Sequence, residues 1–61
     1  MYWIWIKRFD DGKPTYTMRY WQCYVRKGNA ERIAKEWFKD HDTVTFETIV
    51  SETNPFKEEQ L

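Results

Sequence analysis

The sequence predicts a small α+β domain of ββαβ order, in which a three-stranded sheet of order 2-1-3 carries one helix packed on one face. Three observations lead there. Two runs with β-type alternation flank an Asp-Asp-Gly-Lys turn, apolar residues recur at helical spacing over residues 30–40, and alternation returns over residues 44–50.

The first strand covers residues 2–9 (YWIWIKRF), rich in aromatic and β-branched residues. Asp10, Asp11 and Gly12 make the turn. The favoured loop has three residues, a type I turn closed by Gly12 as a left-handed bulge, and it sets Phe9 opposite Lys13. Ile6 then faces Tyr16, Ile4 faces Met18 and Tyr2 faces Tyr20 on an apolar side, with Trp5 opposite Thr17 and Trp3 opposite Arg19 on the other. A two-residue Asp-Gly loop is the alternative. It would place Trp5 beside Met18 and Trp3 beside Tyr20, mixing Ile4 and Ile6 with Arg19 and Thr17. The bulged loop is preferred because it sorts the faces.

The second strand runs to about Val25. Asn29 is the expected helix N-cap, with Glu31 in the first turn near the positive end of the helix dipole. Ala30, Ile33, Ala34, Trp37 and Phe38 form the apolar stripe of a helix over residues 30–40. After Asp40-His41-Asp42, Val44, Phe46, Thr48 and Val50 define the third strand. The helix then acts as a crossover that leaves strand one between strands two and three. The expected core is Ile4, Ile6, Met18, Tyr20, Ile33, Ala34, Trp37, Val44 and Phe46. The domain is expected to span residues 1–50. Asn54-Pro55 and the polar residues after it make 51–61 an expected mobile tail, with the position of Phe56 left open.

Composition narrows the functional classes. A 61-residue chain makes one domain with a small core, and its usual supports are missing: Cys23 has no disulfide partner, and one His with one Cys cannot complete a zinc site. An unpaired cysteine fits a reducing, cytoplasmic setting. Five apolar residues between Met1 and Lys7 are too few for a signal peptide core or a membrane span. Ten basic and ten acidic residues cancel, but residues 1–35 hold eight basic and three acidic side chains, a net of +5, and the remainder a net of −5.

No catalytic pattern emerges. Cys23 and His41 lie on a strand and at a helix end, with nothing that brings them together as nucleophile and base. Turn and helix-end chemistry accounts for Asp10, Asp11, Asp40 and Asp42, and two glycines, Gly12 and Gly28, make no phosphate loop. The expectation is therefore a protein that is not an enzyme and takes no metal or cofactor.

Trp3, Trp5 and Trp21 carry the functional expectation. Three strands and one helix leave a sheet face uncovered, and those tryptophans fall on it. One reading makes them cross-strand packing with Arg19 stacked on indole. The preferred reading is a binding surface for self-association or another protein, since tryptophan and arginine concentrate at contact hot spots. The alternative is a nucleic-acid platform, in which the aromatics stack bases and Lys7, Arg8 and Arg19 reach phosphates.

The strand, Asp-Gly-Lys turn, strand and NAERIAKEWFKDH pattern resembles the arm-binding domains of tyrosine recombinases, small sheets with one helix that read DNA. The resemblance spans roughly residues 3–41, rests on hairpin and helix features, and implies DNA binding of a kind related to mobile elements. Those domains place a third strand before the helix, whereas here the extra strand follows it, so no residue role is carried over.

Overall fold

The computed structural model describes residues 1–56 and has the expected architecture. Strand β1 (Tyr2–Asp10), strand β2 (Lys13–Tyr24), helix α1 (Lys27–Trp37) and strand β3 (Val44–Ser51) follow one another. The sheet order is β2-β1-β3, with β1 antiparallel to both neighbours. Ile4 and Ile6 on the central strand are fully buried, and Ala30 and Ala34 of α1 close over them. Tyr2, Tyr20, Tyr24, Ile33, Phe38, Phe46 and Val50 pack half-buried around this centre. Two alanines four residues apart present a flat helix surface, which lets α1 sit close to the isoleucines.

The hairpin register differs from the expected one. Asp10 pairs with Lys13, so the loop is the two-residue Asp11-Gly12. Both residues have positive φ, 53° and 77°, as a type I′ hairpin turn requires. That loop alone would mix the two faces. A shift between Arg8 and Phe9 leaves Thr15 without an opposite residue, and Ile6 then pairs with Met18 and Trp5 with Arg19. The extra residue restores the alternation, so the apolar and mixed faces keep their expected membership. The irregularity sits at Thr15 rather than at Gly12, and β2 is slid two residues along β1. A second shift sets Tyr20, Trp21 and Gln22 against Ile4 alone, since Trp3 pairs with Cys23.

The helix also departs from expectation. It begins at Lys27, with Arg26 extended at the N-cap and no side-chain cap. The first bond, from the Ala30 N–H to the Arg26 carbonyl, is 3.3 Å long. Asn29 therefore lies inside the first turn and Glu31 beyond it. Trp37, expected in the core, is the last helical residue and is 67% exposed. Phe38 leaves the helical conformation at the C-cap and takes the inner position, its ring 5.6 Å from Tyr20 and 5.9 Å from Phe46. Met18, also expected inside, is 41% exposed on the edge strand β2.

Residues past 50 do not leave the fold at once. Ser51 closes β3 opposite Trp3. Asn54 Oδ1 then accepts the Phe56 N–H at 2.8 Å, an Asx turn that bends the chain at Pro55, and Phe56 is 7% exposed. Residues 57–61 of the expected tail lie outside the described residues.

Candidate aromatic binding surface

Helix α1 covers the face of Ile4 and Ile6, so Trp3, Trp5, Lys7 and Phe9 project from the opposite side of β1. This face is not bare. The Arg19 guanidinium lies 3.9 Å from the ring centre of Trp3 and 5.9 Å from that of Trp5. The Trp5 indole N–H donates to the Ser51 carbonyl at 3.0 Å. Phe56 shares a 210 Å³ cleft with Trp5, Thr17, Met18, Arg19 and Asn54. Phe56 is buried but lies outside the cluster beneath α1. Trp3 and Trp5 are therefore half-buried, held by a cation, a hydrogen bond and a folded-back terminal segment.

The six residues singled out from the sequence are not one site. Trp3, Trp5 and Arg19 are brought together, with Lys7 on the same face and its ammonium 5.6 Å from the Phe9 ring. Arg8 is on the helix side, because consecutive strand residues point to opposite faces. There Arg8 Nε donates to Asp10 Oδ1 at 2.9 Å and the guanidinium sits 5.8 Å from the Tyr16 ring. The hydrogen bond to Asp10 is the foremost cause that raises its pKa above its ordinary value. Trp21 also stands apart. The irregularity at residues 20–22 brings its ring against Tyr20, centroids 5.7 Å apart, and leaves it 76% exposed. Bulges re-aim side chains in this way.

The sequence did not disclose the surface that results. Ring contacts run from Trp21 to Tyr20, Phe38 and Phe46, across the sheet from the β2 edge to β3. Trp37 is exposed beside Phe38, and Tyr16 and Met18 are exposed farther along β2. The signal available was the crowding of aromatics at 20–24 and 37–38, but alternation alone sends Trp21 to the wrong partner.

Cys23 and His41, the pair considered for catalysis, stay apart. Cys23 is opposite Trp3, whereas His41 bridges Val44, which lies opposite Asp10. Seven strand steps, roughly 20 Å, separate those ends. Among the described residues no three His, Cys, Asp or Glu side chains converge as metal ligands, and no helix is long and apolar enough to cross a membrane. Clefts of 210, 260 and 320 Å³ lie at or below the small end of ligand pockets, about 300–1,000 Å³. In comparisons with protein-family models, curated proteins and solved structures, the chain matches none.

Proposed function

We propose that this chain is a non-enzymatic binding module that acts through exposed aromatic side chains, in self-association or with another protein, in a reducing cytoplasmic setting where Cys23 stays a thiol. The supporting observation is the exposure of Trp21 and Trp37, 76% and 67%, on elements joined by the Tyr20–Phe38 edge contact. The Trp21 ring rests on Tyr20, whose own ring meets Phe38, which limits the conformational entropy lost when Trp21 is covered. Trp3 and Trp5 serve a supporting role, since their surface is already shared with Arg19, Ser51 and Phe56.

The test compares two double variants. Trp21→Thr with Trp37→Thr should unfold as cooperatively as the parent yet lose association in sedimentation experiments, whereas Trp3→Thr with Trp5→Thr should lower the melting temperature. The reading fails if the Trp21/Trp37 variant associates like the parent.

A nucleic-acid module is the second reading. One observation favours it: Trp3, Trp5 and Phe9 share a face with Lys7 and Arg19. Against it, Arg8 lies on the other face and the Arg19 guanidinium already covers Trp3. Titration with short DNA and RNA at low salt separates the two. Tryptophan quenching that falls steeply as salt rises would favour nucleic acid, and a protein-binding module predicts no quenching.

A further inference from the structure

We propose that β2 pairs antiparallel with β2 of a second copy about a two-fold axis through Met18, giving a six-stranded sheet with both helices on one side. This rests on the aromatic-binding reading above and names its partner.

Strand β1 is hydrogen-bonded on both sides, so among the described residues β2 and β3 are the free edges. Exposed apolar side chains distinguish them. Tyr16, Met18 and Trp21 lie in β2 and Val25 follows it, whereas β3 contributes none of the large exposed hydrophobics. A twelve-residue edge with unpaired backbone groups and apolar side chains is a template for another strand.

Matching of faces and charges narrows the register. Residues directly opposite in an antiparallel pair share a face, so an axis between residues would set Met18 against the partner's Thr17 and mix the apolar row with threonine and arginine. An axis through Arg19 would place two guanidinium groups side by side. An axis through Met18 avoids both faults, setting Met18 against the partner's Met18, Tyr16 against the partner's Tyr20 and Thr17 against the partner's Arg19. Antiparallel pairing about this axis also turns the end of each copy that carries the exposed Asp11 turn toward the partner's end that carries the exposed Arg26 and Lys27. The two-fold repeats this acid–base match at the other end of the contact.

The size is adequate. A stable dimer takes about 800 Å² from each partner, about one sixth of the 4699 Å² on this chain. The β2 edge offers this contact exposed side chains along its length, Tyr16, Met18 and Trp21. The contact is isologous and closes at two copies. Pro14 and the irregularities at Thr15 and residues 20–22 confine regular pairing to the centre, where the axis falls.

Sedimentation equilibrium of the full chain from micromolar to millimolar concentration should show a monomer–dimer equilibrium. Met18→Lys, a change at an exposed position, should give a monomer throughout with the parent's unfolding cooperativity. Arg26→Glu with Lys27→Glu, outside the core, should weaken dimerisation at least tenfold at low salt and serves if Met18→Lys does not fold. In a mixed-label sample, intermolecular proton contacts should join Met18 to Met18 and Tyr16 to Tyr20. A strict monomer at millimolar concentration overturns the proposal. So does a dimer that survives both variants; if that dimer is lost with Trp21→Thr and Trp37→Thr, edge pairing is wrong and the aromatic-binding reading stands.

Discussion

At Tyr24 the proton is held to higher pH in the folded chain, chiefly because burial disfavours the phenolate and secondly because Tyr20 is near. The folded state then binds more protons than the unfolded state once the pH passes the ordinary tyrosine value of 10.0. This contribution is whole below that pH and declines as the pH rises through the folded value. Urea midpoints for the parent should therefore fall between neutral pH and pH above 10, and Tyr24→Phe should reduce the fall; an equal fall in both would remove Tyr24 as a cause. Other single residues show how far local chemistry can be read. Aspartate and glycine announce a turn at residues 10–12, and their tolerance of positive φ fits both loop lengths. The choice is made by Thr15, whose unpaired place depends on where β1 buries Ile6, and nothing in a threonine marks it as a bulge.

At the scale of elements, the ends of α1 are set by docking as much as by end-capping chemistry. Asn29 suits an N-cap, but burial of Ala30 draws Lys27 and Gly28 into the helix. On a helical wheel Trp37 shares the face of Ala30 and Ala34. As the last helical residue it overhangs, and the chain turns Phe38 inward between Tyr20 and Phe46. Phe38→Ala should accordingly cost about 2 to 3 kcal/mol, less than a fully buried phenylalanine, and Trp37→Ala under about 1 kcal/mol, measured by chemical denaturation. The opposite ranking would put Trp37 in the core. Periodicity identified the helix and all three strands, whereas the inward partner at the helix end depends on a C-cap conformation that no spacing rule contains. The return of Phe56 was open for a related reason: Asn54-Pro55 states that the chain turns, and the direction comes from the place beside Trp5.

For the whole molecule, the order 2-1-3 was legible because β1 carries the two isoleucines that α1 covers and a crossover helix returns the chain to the far side. The aromatic site was legible in composition only. Strand alternation puts Lys7 and Arg8 on opposite faces, and the irregularity at 20–22 separates Trp21 from Trp3 and Trp5. With β1 shared by every pairing, its amide protons should exchange most slowly and together with global unfolding, while the outward amides of β2 and β3 exchange by local opening. Faster exchange in β1 than in β2 would contradict the topology. The same arrangement shapes how the chain is made. The strand destined for the centre is synthesised before either neighbour, and its second edge stays open until Val44–Ser51 has been translated. The nascent hairpin thus presents Ile4 and Ile6 uncovered while some thirty further residues emerge, an interval in which its sheet edge is open to unwanted pairing.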